Sequence, residues 1–311
     1  MDRLESMRIF ATVAEAASFA GAARQLSISP PAVTRAIAAL EERLGVRLLS
    51  RTTRLVRVTE AGARYLEDCR RILAEVAEAD ESAAGLNTEP RGQLHVTAPV
   101  LFGRIFVLPA VTAYLERYPQ VSVNALFLDR VVNLLDEGLD VAIRIGELPD
   151  SSLQAIEVGQ VRRVVCAAPE YLKRHGRPAV PEELPRHSVI LARGVTPALE
   201  WKFLRDGSLR PVRVAPRLSV NTNDSAVAAA VAGTGLTRLL SYQVAPQLAS
   251  GELEIVLAEF EPPPLPIHVV HREGRRASAK VRAFVDLIVE QLRADKALNW
   301  HAPEGTSGNV R

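Results

Sequence analysis

Cysteine and long apolar runs are both scarce in this chain of 311 residues. Its two cysteines, Cys69 and Cys166, stand alone, with no C-x-x-C and no histidine at ligand spacing. That excludes a disulfide framework and a zinc site, and leaves reduced structural thiols. The longest strictly apolar run, Ala226 to Ala232, is far short of the roughly 18 residues a bilayer span requires. Asp2, Glu5 and Glu15 occupy the stretch where a secretory signal needs basic and then apolar residues. The expectation is a soluble, cytoplasmic protein with no membrane partner. Also missing are a nucleophile, base and orienter at recognisable spacing. Gly233-Thr-Gly235 lacks the spacing of a nucleotide loop, and His268 and His271 fit core or rim positions of a strand better than a metal site. No catalytic residue, metal or cofactor is expected. What is present is apolar material, 48% of residues, enough to exclude disorder for most of the chain and to build two domains or one large one.

The net charge of +2 conceals a division along the chain. From Ser18 to Val58 seven arginines (24, 35, 43, 47, 51, 54 and 57) face only Glu41 and Glu42, a net +5. From Thr59 to Glu89 three arginines face eight acids, a net −5. Partners respond to local fields and not to totals, so the first segment is suited to a polyanion.

Periodicity places an amphipathic helix at 4–16, through Leu4, Met7, Ile9, Phe10 and Val13. A short second helix follows from the N-cap Ser18. Ser29 is the N-cap of a third, with Pro30 at its first position, where a missing N–H costs nothing. The third helix should run to Leu44 on an apolar seam of Val33, Ile37, Leu40 and Leu44. Pro31, Thr34, Arg35 and Ala38 then point the other way. Gly45 suits a left-handed C-cap. Val46–Leu49 and Leu55–Val58 read as two short strands around a polar tip, a hairpin too small to stand alone. Thr59 caps a long helix to about Gly85, whose apolar residues, Leu66, Cys69, Ile72 or Leu73, and Val76, repeat near 3.5 residues and call for a partner helix. Asn87 to Gly92 is a linker. Beyond it strands and helices alternate, which signals an α/β layer with mainly parallel strands. The segments are strands at 94–98, 121–128, 141–145, 161–168, 189–192, near 236, at 253–256 and 267–271. Helices fall through Leu115 and Tyr118, at 131–137, 171–175, 224–232 and 278–292, and a hairpin turns at Asp206-Gly207. The tail from about Lys296 has little pattern and is expected to be disordered.

The first 90 residues match a winged helix-turn-helix, and the order of parts resembles the LysR-type transcriptional regulators. The residues carrying the resemblance run from Phe10 and Val13 through Ser18 to Leu26, Ser29 to Ile37, Leu40-Glu41, Leu44 to Leu49, Arg51 to Arg54 and Thr59 to Gly62. It continues through Gly92-Gln93-Leu94, Asp140 to Gly146 and Gly251-Glu252-Leu253, covering about residues 1–296. It implies an α/β protein with an all-α-plus-wing N-terminal domain at 1–58. A linker and dimerisation helix with its hinge occupies 59–91. A periplasmic-binding-protein-like effector domain spans 92–296, its lobe one at 92–161 and 267–296 and its lobe two at 162–266; 297–311 is the tail. The implied partners are double-stranded DNA, a small-molecule effector and RNA polymerase, in a homodimer that pairs further into a homotetramer. Many relatives carry Gln where this chain has Pro30, so a base contact from that side chain is absent.

On this reading Thr34 and Arg35 contact bases, with Pro31 beside them; Arg35 can grip guanine bidentately or pair with phosphate. Ser29 and the amides opening the third helix bind phosphate, and Arg51, Thr52, Thr53 and Arg54 reach the backbone or minor groove. Dimerisation falls to Leu66, Cys69, Leu73 and Val76. Effector candidates lie at strand-to-helix turns: Thr97, Pro99, Val100 and Leu101; Phe127; Arg144, Ile145 and Gly146; Asn221, Thr222 and Asn223. Relatives often carry a hydroxyl where Val100 and Leu101 stand, a role Thr97 can partly take. Arg144 can bind a carboxylate or pair with Asp140 or Glu147. Two rival readings are a solute-binding protein and an α/β enzyme with an unrelated N-terminal domain. The +5 module and the acidic N-terminus argue against the first, the missing catalytic constellation against the second.

Overall fold

A computed structural model describes residues 2–51, 56–83, 89–130, 134, 137–148, 153–192, 199–271 and 277–298. The chain divides into two compact units, 1–88 and 89–311. Residues 52–54 of the expected wing tip at 50–54, Leu55 of the strand after it, most of the helix at 131–137, residues 87 and 88 of the linker and all but the start of the tail lie outside the described residues.

The first unit is α1 (Arg3–Ala16), α2 (Phe19–Gln25), α3 (Pro30–Leu44), strands β1 (Leu49–Arg51) and β2 (Val56–Val58), and the long α4 (Glu60–Ala83). Its caps are those the residue types dictate. Ser18 accepts from the Gly21 amide at 3.1 Å, Ser29 from Ala32 at 3.4 Å and Thr59 from Gly62 at 3.0 Å. Gly45 closes α3 in the left-handed region at φ 68°. Ile9, Phe10, Val13, Ala22, Val33, Ala36, Ile37, Leu40, Leu48 and Leu49 form one core. Leu44 departs from the expected seam: it is 39% exposed, and Ala36 takes the buried position instead. The strand also begins later than expected, because Glu41 Oε1 accepts the amides of Leu48 and Leu49 at 2.8 and 2.9 Å. The Leu48 N–H is thus turned toward a helix, and the ladder opens at Leu49, opposite Val58.

The second unit holds two five-stranded sheets. Lobe one contains β3 (Gly92–Ala98), β4 (Val121–Phe127), β5 (Val141–Ile145), β6 (Gln154–Val161) and β14 (Leu265–His271), ordered β4-β3-β5-β14-β6. Its helices are α5 (Val100–Phe102), continued by a π-helical stretch Gly103–Val107, then α6 (Leu108–Arg117), and the closing α10 (Ala279–Ala294). Lobe two contains β7 (Arg163–Ala167), β8 (Val189–Ala192), β11 (Pro216–Val220), β12 (Leu236–Leu240) and β13 (Glu254–Val256), ordered β11-β8-β12-β7-β13. Helices α7 (Pro169–His175), α8 (Asn223–Val231) and α9 (Ser241–Ser250) belong to it, as does a hairpin of β9 (Glu200–Arg205) and β10 (Ser208–Arg213). The sheets are less parallel than alternation suggests. In each, two of the four pairings are antiparallel, those made by β14 in lobe one and by β7 in lobe two. These two strands follow the passages between lobes, at Arg162 and before Leu265, and each runs against both of its neighbours in the sheet it enters.

Each lobe has its own core, one around Phe102, Tyr114, Ile143 and Phe284, the other around Tyr171, Ile190, Trp201 and Phe203. At the crossovers Arg162 Nε lies 3.6 Å from Glu261 Oε2, with both side chains largely covered. Burial raises the Glu261 carboxyl above its ordinary range and Arg162 draws it back. Both thiols are buried and unpaired by disulfide; burial pushes Cys69 up to about 11 and Cys166 to about 12, so neither is a thiolate at neutral pH. Among the described residues no helix is long and apolar enough to cross a membrane and no cluster of three side chains could hold a metal.

Candidate nucleic-acid interface and effector cleft

The nucleic-acid candidate grows out of α3. Val33, Ala36, Ile37 and Leu40, all at most 2% exposed, fix one side of the helix against α1 and α2. The same 3.6-residue period therefore turns Pro31, Arg35, Ala38 and Ala39 outward, with Thr34 at their edge. Between α2 and α3 the chain reverses at Ser27, which takes φ 55°. Arg35 is exposed and makes no ion pair among the described residues. Thr34 is more constrained than its sequence position suggests: its hydroxyl donates to the Pro30 carbonyl at 3.1 Å, leaving the methyl and the oxygen's acceptor capacity outward. Ser29, by contrast, spends acceptor capacity on the Ala32 amide but remains exposed. Arg24, Arg47 and Arg57 are exposed on the same unit. In the wing, β1 and β2 pair antiparallel with Ser50 opposite Arg57; Thr52, Thr53 and Arg54 lie outside the described residues.

The expected dimerisation seam needs correction. Cys69 is fully buried in the unit's own core, and Tyr65 and Leu66 pack against that core. The first half of α4 is thus consumed at home, an attachment reinforced by Arg70 on Glu15 at 2.9 Å. Ile72, Leu73 and Val76 follow, half-buried and outside that core.

In the second unit, parallel registry brings Ala98 opposite Phe127, so the C-terminal ends of β3 and β4 share an edge. Thr97 is not available there: it is 1% exposed and its hydroxyl donates to the Leu126 carbonyl at 2.7 Å. Leu101, 5% exposed, belongs to the core. Alternation explains both errors, since strand and helix each turn one residue in two to four inward. Pro99 and Val100 stay accessible, but the Val100 amide donates to Asp129 Oδ1 at 3.0 Å, so the chain caps this helix start itself. Phe127 lies across Gly103, where any side chain would collide with its ring. Ile145 packs against the core of lobe one, and the Gly146 amide donates to the Pro266 carbonyl at 2.8 Å. Burial disfavours the charge on Arg144 and Glu137 favours it, a carboxylate that sequence spacing did not single out. Opposite, Thr222 caps α8: its hydroxyl accepts the Ser225 amide at 3.4 Å and donates to Ser225 Oγ at 2.8 Å. Asn221 is exposed and Asn223 partly so.

Sequence reasoning missed the residues that join the lobes. Tyr242 of α9 meets Phe102 and Phe106 edge-on, with centroids 5.3 and 5.8 Å apart. The Asp129 charge is felt at its phenol, which burial pushes far above the ordinary range. Asp224, at the start of α8, is held below the usual carboxylate range by Thr222 first and by Arg104 of lobe one among lesser causes. Beside this short aromatic bridge lobe one contributes an acidic and a basic group, Asp129 and Arg104, and lobe two the acidic Asp224. An aromatic pair at 102 and 106, at helical spacing, was the only signal available.

The first unit matches the family described as "Bacterial regulatory helix-turn-helix protein, lysR family" over residues 4–63. Residues 87–293 match "LysR substrate binding domain". The chain is 36% identical over 296 residues to an HTH-type transcriptional regulator of Xanthomonas campestris, covering 94% of this chain and 86% of that one. It is 34% identical over 292 residues to the HTH-type transcriptional activator AaeR of Escherichia coli K12, covering 93% and 94%. Among solved structures it resembles CrgA, a LysR-type regulator from Neisseria meningitidis, at TM-score 0.59 and 32% identity, covering 93% and 98%. The full-length virulence activator AphB of Vibrio cholerae resembles it at TM-score 0.60 and 27% identity, covering 93% and 99%. An N-terminal helix-turn-helix joined to a two-lobed α/β domain, matched over nearly its whole length by regulators and by no enzyme among these, places the chain in the LysR family of DNA-binding, effector-responsive transcriptional regulators.

Proposed function

We propose that this regulator reads duplex DNA through Pro31, Thr34 and Arg35 on the outward side of α3. Ser29, Arg51, Thr52, Thr53 and Arg54 hold phosphate or the minor groove. The observation that carries this reading is the opposition of a fully buried seam, Val33-Ala36-Ile37-Leu40, to a short exposed surface within a segment of net +5. A helix held from behind in this way fits the major groove, and the field around it attracts phosphate. Dimerisation runs through Leu73 and Val76 of α4. Exposed Leu108 and Leu115 on α6 and Leu126 on β4 favour further pairing of effector domains into a tetramer. RNA polymerase contact and a cytoplasmic location complete the reading.

The effector sits between the lobes, in reach of Pro99, Val100, Phe127, Asn221, Thr222 and Asn223. It acts by favouring one arrangement of the dimer over another, which requires different affinity for the two. The test separates readout from phosphate contact. Arg35→Ala should reduce the ratio of specific to random-sequence affinity by about tenfold to a hundredfold. Arg54→Ala should weaken binding to both and flatten the salt slope by roughly one. Indistinguishable behaviour of the two variants, measured by fluorescence anisotropy, would refute the division of roles.

A further inference from the structure

Lobe two carries a pair of arginines that no carboxylate among the described residues neutralises. Antiparallel registry sets Leu240 of β12 opposite Arg163 of β7, and Arg238 opposite Val165. Arg163 and Arg238 are consequently diagonal neighbours on one face of the sheet, within reach for side chains of their length. Leu240, on the same face, packs against the core of lobe one, so the pair lies toward the side where the lobes meet. Trp201 of the β9-β10 hairpin covers Arg238, its ring centroid 4.9 Å from the guanidinium carbon. One Arg238 nitrogen donates to the Lys202 carbonyl at 3.4 Å. Among the described residues neither arginine pairs with a carboxylate, and Arg163 makes no side-chain hydrogen bond.

That arrangement is costly as it stands. Burial disfavours the charge on Arg163, and burial followed by Arg163 disfavours it on Arg238. A guanidinium nevertheless stays protonated at any physiological pH. Two like charges are therefore held side by side, half-buried, and of their roughly ten N–H donors one is engaged by the described residues. Planar forks of this kind match an oxyanion bidentately.

We propose that Arg163 and Arg238 form an anion-binding subsite in lobe two that takes the carboxylate of a small organic effector. The proposal rests on the reading of an effector held between the lobes, and it names that effector's class. Trp201 walls the subsite and orients Arg238, while Arg163 supplies a full set of free donors.

The test uses the full-length protein, with thermal melting and calorimetric titration against benzoate, succinate, inorganic sulfate and the neutral control benzamide. Benzoate or succinate should raise the melting temperature and benzamide should not. Arg163→Gln and Arg238→Gln should each weaken carboxylate binding at least about tenfold, the loss expected for a charge-assisted contact. Arg117→Gln, on exposed α6, should leave binding unchanged. Without ligand, Arg163→Gln should melt at or above the wild-type temperature, which a merely structural arginine would not allow. Arg238→Lys keeps one charge over Trp201 and should retain part of the response. Variants that respond as the wild type does, or a wild type indifferent to both carboxylates, would overturn the proposal. So would sulfate binding as well as the carboxylates do and being lost in both variants, since the pair would then serve inorganic oxyanions. None of these outcomes touches DNA binding; loss of sequence preference by the wild type would instead undo the functional reading on which the proposal rests.

Discussion

Gly62→Ala is expected to abolish DNA binding while leaving the effector domain folded. Gly62 sits in the first turn of α4, directly against the chain leading into the wing. A Cβ there would overlap the Leu48 carbonyl oxygen and come within 2.8 Å of Val58 Cγ1. Neither neighbour can yield cheaply. The Leu48 carbonyl already accepts the Thr59 amide at 2.9 Å, and the Thr59 hydroxyl donates to it at 3.1 Å. Leu48 itself is 1% exposed. Overpacking of a flexible site costs about 1–3 kcal/mol, and a clash with fixed backbone belongs at or above the top of that range. For a unit of this size the melting transition should fall by on the order of 15 °C. Calorimetry of the full-length variant should show the melting of the N-terminal unit displaced and that of the effector domain unmoved. A variant that melts and binds DNA normally would mean that α4 is not seated against the wing in this way.

Leu73→Glu is expected to halve the mass in solution and to lower affinity for a two-half-site duplex by on the order of a hundredfold. Its position on α4 lies just past Cys69 and outside the home core, so in the proposed dimer a carboxylate there faces the partner's helix. Loss of pairing turns the second half-site contact from an intramolecular event into a bimolecular one. Sedimentation measures the first effect and anisotropy the second. Unchanged mass would place the dimer interface elsewhere on the chain.

The contrast between Leu73 and Cys69 shows how far sequence carries. A 3.5-residue period identifies the apolar stripe of α4, but a stripe does not say which partner covers it. Cys69 and Leu66 are claimed by the same unit because α1 lies alongside, a tertiary fact invisible to periodicity. The caps Ser18, Ser29, Thr59 and Gly45 were legible because each acts on a backbone group within three or four residues. Strand β6 and helix α9 were harder. The first pairs with β14, more than a hundred residues away, and the second contains Pro246, which cannot donate within the helix and reads as a breaker. In the effector domain, turn positions located Pro99 and Val100. They could not reveal that Thr97 spends its hydroxyl on a neighbouring strand, or that Asp129 caps the helix opening beside it. Arg163 and Arg238 became a pair only through strand registry across 75 residues of sequence.

At the centre of the account stands a buried helix seam presenting a short polar surface to a DNA groove. The most direct measurement is anisotropy of the full-length protein with duplex from upstream of its own gene and with a scrambled duplex, between 50 and 200 mM salt. The account predicts about a thousandfold or greater preference for the upstream duplex and affinity that falls steeply as salt rises. Equal affinity for the two duplexes, or binding indifferent to salt, would contradict it.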